Sequence, residues 1–145
     1  MKRNALVVGL ICLVFNTSAY ANEVKLNCTG EERNIIWNSV SPYSFSVSID
    51  TKMKKFEMQE ITTRGSKSYP TDNNFMPQGC PTPYWQLKVT NAEFVITTNC
   101  SKEDTKGPSK TWKISRKNQT FSTQSKIAAN APLSSQGTGK CENMQ

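Results

Sequence analysis

The side chains that most hydrolases use for catalysis are scarce in this chain. Its 145 residues include no histidine, which excludes Ser-His-Asp and Cys-His catalysis because each needs an imidazole as general base. Serine–lysine catalysis usually requires the spacing S-x-x-K. That spacing occurs nowhere, and pairs such as Ser122 with Lys126 are one residue too far apart. What remains is a pair of carboxylates of the kind that hydrolyses glycosides.

The acidic side chains fall mostly in predicted turns or on the polar faces of predicted strands, where solvated carboxylates usually lie. They are Glu23, Glu31, Glu32, Asp50, Glu57, Glu60, Asp72, Glu93, Glu103, Asp104 and Glu142. This placement predicts a protein that is not an enzyme. A small carboxylate-dependent hydrolase is the least favoured alternative.

Metal and cofactor motifs are also missing from the sequence. A zinc site would need C-x-x-C pairs or histidines, and a calcium loop would need the pattern D-x-D-x-D-G; neither occurs. The segment 137–140 resembles the end of a phosphate loop, but Cys141 follows where Ser or Thr is required. We expect no metal, no cofactor and no nucleic-acid partner.

One segment has the composition of a binding loop. Residues 65–85 show little hydrophobic alternation but contain four prolines, two glycines, Cys80 and four aromatic side chains. A loop of this length in a small domain is usually functional or disordered, and the cysteine argues against disorder. The residues that could form a cationic and aromatic binding surface are Lys67, Tyr69, Phe75, Met76 and Tyr84. Alternatively, Phe75 or Met76 plugs the end of a β-barrel and the loop is only a connection.

The elements that position these residues are strands, because apolar and polar residues alternate along most of the chain. Three hairpins follow from this alternation, and their registers keep the apolar side chains on one face. The predicted cross-strand pairs are Asp50–Lys55, Ile49–Phe56, Val47–Met58, Thr90–Glu93, Val89–Phe94, Leu87–Ile96 and Ile114–Phe121. Further strands are predicted at Val24–Cys28, Asn34–Asn38 and Gly137–Glu142. The expected fold is all-β: a single antiparallel β-sandwich or small β-barrel of about eight strands.

The cysteines predict that two disulfides hold this domain together. Cys28 and Cys141 lie in the first and last predicted strands, which antiparallel closure would bring together. Cys80 and Cys100 lie near the open end of the second hairpin. We therefore expect the pairs Cys28–Cys141 and Cys80–Cys100, out of three connectivities that four cysteines allow.

The amino terminus predicts export. Residues 1–21 have a basic start at Lys2 and Arg3, an apolar run and the small-x-small motif Ala19-Tyr20-Ala21, as in a secretory signal peptide. Cleavage near Ala21 would leave residues 22–145 as one periplasmic or secreted domain without a transmembrane segment. Cleavage would also remove Cys12, one of the five cysteines, and the even number that is left suits such an oxidising compartment.

The net charge allows an anionic partner. Loss of Lys2 and Arg3 lowers the formal charge from +7 to +5, because 7 − 2 = 5. Lipopolysaccharide, acidic glycans or membrane headgroups could bind such a surface. The alternative is a mildly basic protein with solvated lysines, which the absence of long runs of like charge favours.

Short segments carry a resemblance to a family. The strand "VKLNCTG", the hairpin "WQLKVTNAEFVI", the segment "TWKISRKNQTFS" and the closing "GTGKCE" resemble those of short, uncharacterised exported bacterial β-proteins with a cysteine in the first and last strands of the mature chain. The resemblance implies export and an all-β fold, and it implies no activity. The long proline-rich segment with the second cysteine pair departs from that family.

These observations predict a non-enzymatic exported binding protein, monomeric, that acts through its surface loops on an unknown protein or an anionic component of the cell envelope. An inhibitor or immunity-type protein that blocks a secreted enzyme with the 65–83 loop is the alternative. The two hypotheses differ in the partner and share the expectation of a surface loop with projecting aromatic side chains.

Overall fold

The computed structural model describes residues 22–63, 65–69, 83–102 and 106–144. Within these ranges the chain forms nine antiparallel strands in one sheet. The strands are β1 Glu23–Asn34, β2 Ser39–Asp50, β3 Lys55–Thr62, β4 Gly65–Tyr69, β5 Tyr84–Val89, β6 Glu93–Asn99, β7 Ser109–Ser115, β8 Thr120–Lys126 and β9 Leu133–Asn143. The predicted all-β, antiparallel fold is confirmed, and the sheet is curled on itself as a half-barrel.

The strand order places the chain ends in the middle of the sheet. The order is β4-β3-β2-β1-β9-β8-β7-β6-β5, so β1 pairs with β9 and the two sheet edges are β4 and β5. These edges approach each other across the concave face, where the ring of Tyr69 lies 5.0 Å from that of Trp85. The concave face therefore encloses the core.

The core follows from the alternation in the sequence, because every second side chain of a strand points to the same face. In β2, for example, Tyr43, Phe45, Val47 and Ile49 are buried while the intervening serines lie on the outer face. The most buried apolar side chains are Leu26, Cys28, Tyr43, Phe45, Val47, Ile49, Met58, Tyr69, Phe94, Ile96, Trp112, Ile114, Phe121 and Cys141. Phe45 and Phe121 pack edge to face, with ring centroids 5.0 Å apart.

The predicted hairpin registers are confirmed. Asp50 pairs with Lys55 in the first hairpin, Val89 with Phe94 in the second and Ile114 with Phe121 in the third. The register was predictable because a slip by one residue would move each apolar set to the outer face.

The predicted disulfide between Cys28 and Cys141 is also confirmed. The two cysteines lie directly opposite each other in the β1–β9 ladder. Nearby, Gly30 faces Gly139, and a Cβ on either glycine would lie 2.1–2.2 Å from a backbone oxygen of the other strand. These glycines therefore allow the first and last strands to come close together beside the disulfide.

Cys100 is disulfide-bonded as well. Its predicted partner, Cys80, lies outside the described residues, as do residues 1–21 with the predicted signal peptide. Both the Cys80–Cys100 pair and the cleavage near Ala21 stay predictions.

Two details of the strand prediction are wrong. Gly65–Tyr69 forms the edge strand β4, paired with β3, rather than part of a loop, and it raises the number of strands from about eight to nine. Residues 35–38 form a turn between β1 and β2 rather than a strand. The reason is that Asn38 adopts a left-handed backbone conformation with φ of +48°, which asparagine tolerates and which ends an extended segment.

Candidate functional site

A cluster of hydrogen-bonded polar side chains lies inside the half-barrel, around the carboxylate of Glu60. Lys110 Nζ lies 2.5 Å from Glu60 Oε1, and the Tyr43 hydroxyl donates to the same oxygen over 2.5 Å. The Tyr69 hydroxyl donates to Glu60 Oε2 over 2.7 Å. Trp112 Nε1 in turn donates to the Tyr43 hydroxyl over 2.7 Å. We call these five residues the Glu60 cluster; they come from β2, β3, β4 and β7.

The lysine of this cluster serves a second carboxylate. Lys110 Nζ lies 3.4 Å from Glu32 Oε1, and Ser135 Oγ donates to that same oxygen over 3.0 Å. The ammonium also lies 4.8 Å from the ring centroid of Tyr43 and 5.0 Å from that of Trp112, close enough for cation–π attraction. One buried cation is thus held by two carboxylates and two aromatic faces.

The cluster fixes the protonation of its members. Burial alone would raise the pKa of Glu60, but the charge of Lys110 and the hydrogen bonds from Lys110, Tyr43 and Tyr69 outweigh burial and hold the pKa below 4.5. Burial and the neighbouring Glu60 carboxylate raise the pKa of Tyr43 well above 10.0. At neutral pH the pair is therefore a carboxylate with a phenol that donates to it.

The carboxylate of the cluster is enclosed and hydrogen-bonded within the protein. Glu60 is only 1 % exposed, and both of its oxygens accept hydrogen bonds from protein groups. Glu32 and Glu60 do converge, as a carboxylate-dependent hydrolase would require, but they converge on Lys110 and not on an open cleft. The expectation that the acidic side chains are mostly solvated is wrong for Glu60.

The lowered pKa of Glu60 predicts a pH-dependent stability. A carboxyl group whose pKa is lower in the folded chain than in the unfolded chain stabilises the fold above the unfolded pKa, and this contribution is lost as the pH falls through the folded pKa. We expect the free energy of unfolding to fall as the pH is lowered below about 4.3. Urea denaturation of wild-type protein and of Glu60→Gln at several pH values checks this. If the free energy of unfolding falls equally steeply with decreasing pH in both proteins, the prediction is wrong.

Three of the five residues of the predicted binding loop lie in the described part of the chain, and they differ in exposure. The prediction that Tyr69 lies on the surface is wrong. Its ring is buried in the core, because β4 pairs with β3 and turns the ring inward. There its hydroxyl donates a hydrogen bond to Glu60. Lys67 and Tyr84 are half-buried, on β4 and at the start of β5. Phe75 and Met76 lie outside the described residues, so neither the binding-loop nor the plug interpretation of them is tested.

A different part of the surface exposes large apolar side chains. The turn between β1 and β2 presents Ile35, Ile36 and Trp37, and Trp37 is 78 % exposed. Ile127, which is also exposed, follows β8 in the connection to β9. The two segments are neighbours, because Ile35 N donates to Ser134 O over 2.9 Å at the start of β9. We call Ile35, Ile36, Trp37 and Ile127 the apolar rim.

The backbone of the rim is fixed by polar atoms, which leaves its apolar side chains facing outward. Asn34 Oδ1 accepts a hydrogen bond from Trp37 N over 3.0 Å, and Asn38 takes the left-handed conformation that closes the turn. On the other segment, Ala129 N donates to Lys106 O over 2.7 Å. The sequence carries a signal for this turn, since two asparagines flank three consecutive bulky apolar residues that do not alternate.

A groove lies beside the first residues of β3, which precede its pairing with β4. It has a volume of about 1150 Å³, and its walls include Phe56, Trp85 and Leu87, which pack against the core, and Lys54 and Lys55, which are exposed. Because both core-facing and exposed side chains form its walls, the groove among the described residues is an open trough.

Neither a metal site nor a membrane-spanning helix is found in the described ranges. No group of three histidine, cysteine, aspartate or glutamate side chains there is placed to hold a metal ion. None of the described residues belongs to a helix long and apolar enough to cross a bilayer.

Comparison with protein-family models, with curated proteins and with solved structures gives no match to this chain. The resemblance to short exported bacterial β-proteins therefore stays a prediction.

Proposed function

We propose that this chain is a non-enzymatic, exported binding protein that attaches to a macromolecular surface of the cell envelope through its apolar rim. The observation that carries the proposal is the exposure of three consecutive bulky side chains, Ile35, Ile36 and Trp37, in a turn whose backbone is pinned. Single exposed apolar residues are common on soluble proteins, but contiguous ones usually mark an interaction site. A tryptophan is also among the residues most often found at the centre of binding surfaces.

The rigidity of the rim supports a role in binding. A disulfide joins β1 to the last strand, and the turn connects β1 with β2, two long strands near the middle of the sheet. Its side chains therefore lose little backbone freedom when they meet a partner, which lowers the entropic cost of association.

The Glu60 cluster supports the absence of enzymatic activity. Glu60 and Lys110 are buried in the core, and their opposite charges are paired with each other. Catalytic groups, in contrast, must reach a substrate. Export is supported by the predicted signal peptide and by the disulfide, which suits an oxidising compartment.

Sedimentation with envelope membranes tests this function. The mature chain, residues 22–145, is incubated with an envelope preparation that retains its proteins, and the bound fraction is measured after centrifugation. We expect Trp37→Ser to lower the apparent affinity roughly tenfold, because a large exposed apolar contact is lost, while the melting temperature stays within about a degree of the wild type.

Met53→Ser provides the matched control. Met53 is 61 % exposed and lies in the turn between β2 and β3, at the opposite end of the half-barrel. It should bind like the wild type. Equal binding by the two variants, or no binding of wild-type protein to the envelope preparation, would show that the rim is not the attachment site.

A further inference from the structure

The geometry points to an anionic phospholipid bilayer as the surface that the apolar rim recognises, an inference that depends on the function proposed above. We infer that Ile35, Ile36, Trp37 and Ile127 enter the headgroup region while nearby basic side chains contact lipid phosphates. The chain would then lie on the membrane surface and would not cross it.

The shape of the rim fits a soft surface better than a protein pocket. Residues 35–38 project beyond the last pairs of β1 with β2 and with β9, which are Asn34–Ser39 and Asn34–Ser135. The exposed side chains therefore form a convex tip and do not line a groove. A convex tip fits a protein partner only where that partner has a matching pocket, whereas the interface of a bilayer can accommodate the tip at every point of its surface.

The chemistry of the two rim segments also fits the membrane interface. Residues 34–39 and 127–132 contain no charged side chain, so the part that would enter the headgroup region carries no buried charge. Tryptophan is the side chain most suited to that depth, because its ring is apolar and its N–H can still bond to water or phosphate.

Basic side chains flank these uncharged segments. Arg33 is exposed and directly precedes the end of β1, and Lys126 at the end of β8 directs its ammonium toward Ala129 O at 3.4 Å. Lys106 is held beside the same segment through its backbone oxygen. Cations placed behind an apolar tip bind most strongly to membranes with anionic lipids, and this part of the attraction weakens with salt.

Vesicle binding tests the inference, and Trp37 serves as the internal reporter. Of the three tryptophans in the chain, Trp112 is buried, Trp85 is half-buried and Trp37 is highly exposed. Insertion should shift the fluorescence emission of Trp37 to shorter wavelengths and reduce its quenching by acrylamide. Lipids brominated on their acyl chains should quench the fluorescence of the inserted side chain. The probe is a vesicle of phosphatidylcholine with about one third phosphatidylglycerol, compared with pure phosphatidylcholine.

The variants are compared by co-sedimentation with the vesicles, because Trp37→Ser removes the reporter. We expect wild-type protein and Met53→Ser to bind the anionic vesicles equally, and Trp37→Ser to bind roughly tenfold more weakly. Binding should be weaker to pure phosphatidylcholine and at high salt.

Two outcomes would overturn the inference and leave different conclusions. If wild-type protein binds the envelope preparation but no vesicle, and protease treatment of the envelope abolishes binding, the partner is a protein and the proposed function stands. If the vesicles are bound equally by Trp37→Ser, attraction comes from cations elsewhere, such as Lys52, Lys54 and Lys55 in the opposite turn, and the rim has no role.

Discussion

Replacing Lys110 with methionine is expected to lower the free energy of unfolding by about 3–5 kcal/mol at neutral pH. Methionine has nearly the same length as lysine, so the change removes the charge and leaves little void. Glu60 then remains ionised in the core, with two tyrosine hydroxyls but no cation. Urea denaturation at neutral pH, monitored by circular dichroism, measures the loss.

A second substitution separates the cost of an unpaired charge from a loss of packing. In Lys110→Met with Glu60→Gln, the amide can still accept from Tyr69 and bond Tyr43, and no charge remains buried in the cluster. The double variant should therefore be more stable than Lys110→Met alone, which gives a large coupling energy in the double-mutant cycle. The difference in the free energy of unfolding between wild type and Lys110→Met should also become smaller in acid, where Glu60 becomes protonated. Additive effects of the two substitutions would contradict this account.

Removing the Cys28–Cys141 disulfide is expected to have an effect of similar size. The two cysteines are 113 residues apart in sequence, and in the chain-entropy model a bridge across a loop of that length stabilises the fold by about 5 kcal/mol. The variant Cys28→Ala with Cys141→Ala should lose roughly 2–5 kcal/mol, because its unfolded chain gains freedom and two buried sulfurs are deleted from the core.

The size of this loss distinguishes the role of the disulfide from that of the strand ladder. Thermal melting of the oxidised wild type beside the alanine variant measures it. No reductant is used, because it would also open the disulfide at Cys100. A variant that melts within a degree or two of the oxidised wild type would show that the β1–β9 ladder holds without covalent help.

The hairpins could be predicted from the sequence because their information is local. Val47, Met58, Leu87 and Ile96 each belong to an alternating set, and one register alone places both sets on a common face. The edge strand β4 could not be predicted this way, since Gly65–Tyr69 does not alternate in hydropathy and becomes a strand by pairing with β3.

The Glu60 cluster does not follow from residue type, because polar residues are expected on the outer face of the sheet. The predicted register nevertheless contained the answer: Glu60 lies two residues after Met58, and Lys110 two residues before Trp112, so both share the face of a core residue. Alternation identifies the face on which a side chain lies, and residue type alone does not.

The apolar rim was missed for the opposite reason. Ile35, Ile36 and Trp37 have high strand propensity, which predicts a strand over residues 34–38. The flanking asparagines decide the local structure, because Asn34 caps the turn and Asn38 takes the left-handed backbone conformation. A consecutive apolar run between two asparagines can therefore be read as an exposed turn.

The strand order also has a consequence for how the chain finds its fold. Seven of the eight strand pairings among the described residues join strands that are consecutive along the chain, and only β1 with β9 joins distant ones. The two meanders, β1–β4 and β5–β9, can each form by pairing of neighbouring strands, which costs little loop-closure entropy. The slow search is thereby reduced to a single encounter between the first and last strands. Cys28 and Cys141 lie opposite each other in the β1–β9 pairing. Once these two strands have paired, formation of the disulfide holds them together.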